Sequence, residues 1–199
     1  IGFTTSRTYN HQTTDGSPVA SRLATWDEVR QLVGVMGEAG AGIFEIANED
    51  ARFDPERIHE YLGRLKALAV DTRVPVTFGM FSSRQAPGLW RPFFNLAEET
   101  AAAGGRIFIQ VHSRPLNVVL SFETTTPFDK LPVWRELRQL PLAEQEAHLR
   151  NPDMRRQLID AVNQTPRERG PGVGVEARPA NFKRLFVMDK STPPYRSVA

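Results

Sequence analysis

A chain of 199 residues, 40% hydrophobic and 24% charged, is long enough to bury a real core and carries an ordinary charge load. Its 25 basic residues are scattered among 23 acidic ones for a formal charge of +2, with no basic run and no aromatic–basic interleaving, which excludes a nucleic-acid partner. No apolar run approaches the ~18 residues of a membrane span, and with no cysteine there is neither a disulfide framework nor a thiolate metal site.

The chain opens at Ile1 on IGFTT, apolar and β-prone, with no signal-peptide pattern after it, as expected of an interior excerpt of a longer polypeptide. Ile1 to Thr5 reads as the end of a strand. A long polar loop from Ser6 to Arg22 follows, with turn chemistry at Asp15-Gly16 and Pro18. It carries Arg7, Tyr9, His11, Asp15 and Arg22, and its length suits either a functional or a mobile segment. Thr25 and Glu28 form a capping box ahead of a helix whose apolar stripe is Trp26, Val29, Leu32, Val33 and Met36; Gly40 and Gly42 stop it. AGIFEIAN, Ala41 to Asn48, is the next strand, with Asn48, Glu49, Asp50 and Arg52 at its end.

Asp54-Pro55 opens a second helix as N-cap and first turn, with Ile58, Tyr61, Leu62, Leu65 and Leu68 facing a core and His59 off that stripe, on the surface. PVTFGMF, Pro75 to Phe81, is a strand ending in Ser82, Ser83 and Arg84. A third helix from about Leu89 to Ala103 turns Trp90, Phe93, Phe94 and Ala97 inward. After the Gly104-Gly105 break, RIFIQVHSRP (Arg106 to Pro115) is a strand that ends in His112, Ser113 and Arg114. These last three strands start about 32 residues apart, the length of one strand–helix unit, so they are expected to lie parallel with their polar tips on one rim.

Past Pro115 the rhythm breaks. Leu116 to Phe122 is apolar and TTTPFDKLPVW is a turn-rich connection. Helices are expected at Leu142 to Arg150, whose His148 lies on a solvated face, and at Pro152 to Val162, capped by Asn151. Gln164 to Gly174 reads as a mobile linker, Asn181 to Met188 as a short strand, and Ser191 onward as an extended terminus. Three regions result: β/α units over 1–114, a helical insertion and linker over 115–175, and a short strand with the terminus over 176–199.

The fold class is α/β, and the repeat suits either an open doubly wound sheet or a partial TIM (β/α)8 barrel carrying an α-helical insertion. No glycine-rich phosphate fingerprint follows a strand, since the GAG of Gly40 to Gly42 precedes one. GFTTSRT followed by a histidine, then DGSPV, a capped helix and GAGIFEI, resembles the N-acyl-D-amino-acid deacylase (D-aminoacylase-like) branch of the amidohydrolase superfamily. QVHSRP and PLAEQEAHLRNPDMRRQLI are similar to the same group. The resemblance covers nearly the whole chain and is most specific over residues 2–48 and 106–160. It implies a TIM-barrel catalytic domain with a small β-sandwich, and hydrolysis of amide bonds by water activated on zinc. Two successive strands of this region in that family end in metal-binding histidines. The corresponding ends here hold Ala47 with Asn48 and Met80 with Phe81, none a zinc ligand, so the metal set stays unassigned.

His112, the one histidine at a strand end, shares a face with Gln110 and Arg114; it is a ligand, a general base, a substrate donor or a histidine held by a carboxylate. Glu45 in mid-strand needs a cationic partner if buried, for which Arg7, Arg84 and Arg114 are available, and is either catalytic or one half of a structural ion pair. Arg7, Arg84 and Arg114 are also the candidates for binding a substrate carboxylate, with His11 a further contact or simply exposed. The expected partner is an N-acyl-amino-acid-like small molecule, with no nucleic acid and no membrane, in a cytoplasmic setting. Open sheet edges predict association with further barrel segments or a second copy. A non-catalytic ligand-binding protein on a degenerate amidohydrolase barrel is the alternative reading.

Overall fold

A computed structural model describes residues 2–8, 11–13, 15–49, 54–80, 87–88, 90–114, 117–124, 126–164 and 182–198. Two compact units form, Ile1–Leu116 and Asn117–Ala199. Among the described residues, no helix is long and apolar enough to cross a membrane.

The first unit runs β1 (Phe3–Ser6), α1 (Ala20–Leu23), α2 (Trp26–Glu38), β2 (Phe44–Ala47), α3 (Pro55–Thr72), β3 (Val76–Gly79), α4 (Arg91–Ala102) and β4 (Ile107–Gln110). Its four strands are all parallel and lie in the order β1-β2-β3-β4. Strand order never reverses, so the described sheet has no topological switch point of the kind that places a nucleotide in a doubly wound fold.

Alternation decides which side chains go where, because the period of two sends neighbours to opposite faces. Phe44, Ile46, Val76 and Phe78 are buried, and Phe3, Ile107 and Ile109 pack beside them. All join one cluster with Val29 and Val33 of α2, Tyr61, Leu62, Leu65, Leu68 and Ala69 of α3, and Phe93 and Leu96 of α4. The other face carries Thr4, Glu45, Thr77, Phe108 and Gln110, which are exposed or half-buried. Among the described residues of this unit, α2, α3 and α4 all cover the same face.

Local chemistry sets the helix starts. Thr25 Oγ1 accepts from Glu28 N at 3.2 Å, and Asp54 Oδ1 accepts from Glu56 N and Arg57 N, both at 3.1 Å, so each side chain satisfies donors that the first turn leaves open. Near its end α2 meets α3 backbone to backbone: a Cβ added at Gly37 would sit 2.4 Å from the Thr72 carbonyl oxygen. Two expected inward residues point out instead. Leu32 is 47% exposed and Phe94 is 45% exposed, and the inward stripe of α4 is Phe93, Leu96 and Thr100. Phe94 packs edge-on against Trp90.

The described residues of the expected long loop form local structure of their own. Gln12 bridges Pro18, Asp15 accepts from Thr13 Oγ1 and from Ser17 N (3.1 Å), and α1 adds one helical turn before α2. Those hydroxyl and amide donors hold the Asp15 carboxyl below its usual range, so Asp15 is a turn-forming residue.

The second unit contains α5 (Pro132–Arg138), α6 (Leu142–Arg150) and α7 (Pro152–Gln164) around Trp134, Leu137 and Leu158. Trp134 Nε1 donates to the Leu158 carbonyl at 3.0 Å. α5 replaces part of the connection expected to be turn-rich. The expected strand at Asn181 to Met188 is mostly a 3-10 turn, Phe182–Arg184, then a two-residue strand β5 (Phe186–Val187) paired antiparallel with β6 (Arg196–Ser197). The linker expected at Gln164 to Gly174 lies outside the described residues beyond Gln164.

Candidate functional site at the strand tips

Parallel strands bring their carboxyl ends to one rim, and here the rim of β1 to β3 is tied by a charged and hydrogen-bonded network centred on two consecutive residues, Asn48 and Glu49. Glu49 Oε1 accepts from Arg7 Nε at 2.8 Å, and its Oε2 accepts from Arg64 at 3.0 Å. All three are largely buried, with side-chain exposures of 16% for Glu49, 17% for Arg7 and 28% for Arg64. A second Arg7 nitrogen donates to the Ala24 carbonyl at 2.6 Å, which pins the end of the long loop to the tip of β1. The Arg64 guanidinium lies 5.2 Å above the Trp26 ring. One carboxylate thus joins the ends of β1 and β2 to α3, with two cations to balance it.

Asn48 makes the complementary tie. Its Oδ1 accepts from Tyr61 Oη at 2.7 Å, and its Nδ2 donates to the Gly79 carbonyl at the end of β3 at 3.0 Å. Burial, reinforced by the nearby Glu49 carboxylate, pushes the Tyr61 phenol far above its ordinary range, so it stays protonated and remains a donor. Ser6 Oγ and Arg64 Nε are buried beside this network without a hydrogen-bond partner among the described residues.

Several expected site residues fall elsewhere. Arg7 pairs with Glu49 rather than Glu45, and also donates to the Ala24 carbonyl. Glu45 is exposed on the uncovered face, in register with Thr4 on one side and Thr77 on the other. No cation stands beside it in that row among the described residues, and its exposure removes the need for a buried ion pair. His112 and Arg114 are exposed just past β4. Gln110 donates to Thr77 Oγ1 at 2.9 Å, and that hydroxyl donates to the Phe108 carbonyl at 2.9 Å. His11 is exposed, its carbonyl accepting from Arg22 at 3.2 Å. His59 and His148 are exposed helix residues, as expected. Arg84 and Tyr9 lie outside the described residues. Among the described residues, no three His, Asp or Glu side chains gather in a way that could hold a metal ion.

The sequence reading stopped at Glu49 as one of several polar residues after a strand, and missed Arg64 and the Tyr61 hydroxyl. A signal existed for both. Tyr61 and Arg64 are three apart on α3, so they share a face, and that face begins at the Asp54 cap just after the β2 tip. Compared with protein-family models, with curated proteins and with solved structures, the chain finds no match in any of the three.

Proposed function

We propose that the chain forms part of the β/α barrel of a hydrolase acting on non-peptide C–N (amide) bonds, similar to N-acyl-D-amino-acid deacylases. One observation carries the reading. Four parallel strands in consecutive order are covered by helices on one face and bear polar groups on the other. A closed eight-strand barrel turns that second face inward and opens its site at the carboxyl ends. The GFTTSRT, DGSPV, GAGIFEI and QVHSRP motifs supply the amidohydrolase half of the proposal.

In this reading His112, at the mouth beyond β4, is the proton acceptor or donor for the hydrolytic water. Glu45 is an inward carboxylate deeper on the same face, and Arg114 is the cation for the carboxylate of an N-acyl amino acid. Zinc, which the resemblance implies, does not fit the β2 and β3 tips, because Ala47, Asn48, Gly79 and Met80 offer no imidazole, thiolate or carboxylate.

The test is release of free amino acid from N-acetyl-D-amino acids by protein in which the remaining barrel strands are supplied. Turnover that falls on His112→Ala supports the reading, and absence of turnover overturns it. Four strands would be half of an eight-strand barrel, so in this reading the 199 residues alone are expected to be inactive, and robust turnover by them would overturn the partial-barrel assignment. The engaged Asn48 amide favours a second reading, a ligand-binding protein on the same scaffold, in which N-acyl amino acid binds without being hydrolysed.

A further inference from the structure

The place where zinc fails to fit is filled. We infer that the tips of β2 and β3 form a hydrogen-bonded brace, Tyr61–Asn48–Gly79, that makes this side of the rim a fixed wall and takes no part in metal binding. The comparison with ligand-bearing strand tips rests on the amidohydrolase reading; the brace itself rests on the hydrogen bonds.

Three features converge on it. Asn48 stands one residue past β2, where a side chain faces the rim, yet both ends of its amide are engaged: Oδ1 by Tyr61 Oη at 2.7 Å, Nδ2 by the Gly79 carbonyl at 3.0 Å. The oxygen is the only atom an amide side chain offers a cation, and here it accepts from a phenol that burial keeps protonated. One of that oxygen's two lone pairs is already given to Tyr61 Oη, so a metal on the other would compete with a buried donor for the same oxygen and weaken its hydrogen bond. The neighbouring positions supply no substitute, being Ala47 on β2 and Gly79 and Met80 on β3. Glu49, the one carboxylate close by among the described residues, is held by Arg7 on one oxygen and Arg64 on the other, so an approaching cation would meet two guanidinium charges. Among the described residues, the network engages both ends of the Asn48 amide and both oxygens of Glu49. Its components come from three strand ends and one helix, so it sets how those ends sit relative to each other.

Zinc titration of the full chain, followed by the side-chain amide resonances of Asn48, reads this directly and needs no variant. The expected result is that the Asn48 signals keep their positions through one equivalent of zinc, while resonances of the exposed histidines are free to respond. Tyr61→Phe is expected to shift the Asn48 signals and leave zinc uptake unchanged. A saturable one-to-one shift at Asn48 overturns the inference, as does loss of stoichiometric zinc uptake in Asn48→Ala. Failure of the hydrolase reading is scored separately by amide release. Absence of turnover with an undisturbed Asn48 signal removes the hydrolase and leaves the brace standing.

Discussion

Each unit holds a largely buried charged network, but the residue at its centre is of opposite sign in the two and serves a different end. In the first unit Glu49 is an acceptor for two guanidinium groups at the rim of a sheet whose ladders already satisfy most backbone groups. In the second, Arg138 is the donor. It reaches Asp129 Oδ1 at 3.2 Å, Gln145 Oε1 at 2.7 Å and the carbonyls of Phe122 and Thr124, and lies 5.3 Å above the Phe122 ring. No sheet pairs those turn carbonyls, so a planar guanidinium with five donors does what ladder N–H groups do elsewhere. A sheet leaves its charges available to organise a rim, whereas a small helical unit uses its charge to complete the backbone.

That contrast is sharpest if Arg138 is removed. Arg138→Ala takes the counter-charge from Asp129, which keeps its hydrogen bonds from Thr126, and the donor from two carbonyls, at a side chain only 12% exposed; a loss of about 3 kcal/mol is expected in urea denaturation. Hydrogen exchange should lose protection first around residues 122–145. Equal loss of protection in α2 to α4 would break the separation of the two roles.

Glu49→Gln removes the counter-charge from two arginines while keeping the shape. The expected cost is about 2 kcal/mol, smaller because both arginines retain some access to water. Amide exchange at the tips of β1 and β2 is the sharper reading. An unchanged melting temperature would mean that the arginines find other partners.

Tyr61→Phe should cost about 1 kcal/mol at neutral pH by leaving Asn48 Oδ1 without its donor. It should also remove a pH dependence. A phenol whose folded value lies above its unfolded one stabilises the fold below about pH 10, and that contribution is lost as the unfolded chain ionises at higher pH. The wild type is therefore expected to lose stability between about pH 10 and 11 faster than Tyr61→Phe. Parallel curves would show that the hydroxyl is not protected by the fold.

The smallest effect is expected at Lys66–Glu99, an exposed pair at 2.8 Å. The Lys66 ammonium, by hydrogen bond and charge, holds the Glu99 carboxyl below its ordinary range, a contribution present at neutral pH and lost as pH falls through the folded value. Lys66→Ala should return the Glu99 titration to the usual carboxylate range in NMR without moving the melting temperature.

Regular elements were legible wherever a short-range rule fixed them. Thr25 with Glu28, Asp54-Pro55, and Asn151 accepting from Asp153 N at 2.9 Å each marked a helix start by side-chain chemistry that needs no tertiary context. α1 was not legible, because four residues make one turn and no period. α5 has Trp134 and Leu137 as its only buried pair, too little for a stripe. The site was read less well because sequence alternation gives two faces without saying which one the helices will cover. For Glu45 the sequence leaves burial open, and it is the apolar Phe44 and Ile46 on either side, turned to the helices, that put it on the uncovered face. Glu49 was passed over because its importance comes from Arg7 and Arg64, which are 42 and 15 residues away.

One consequence follows from Asn48 and Glu49 being adjacent. The first pulls the chain toward β3 and the second toward β1, so the polypeptide leaves β2 along a heading fixed from both flanks. Whatever segment is grafted after Glu49 starts from a rigid platform. An engineer can therefore vary it in length and composition as a specificity cassette and leave the underlying scaffold untouched.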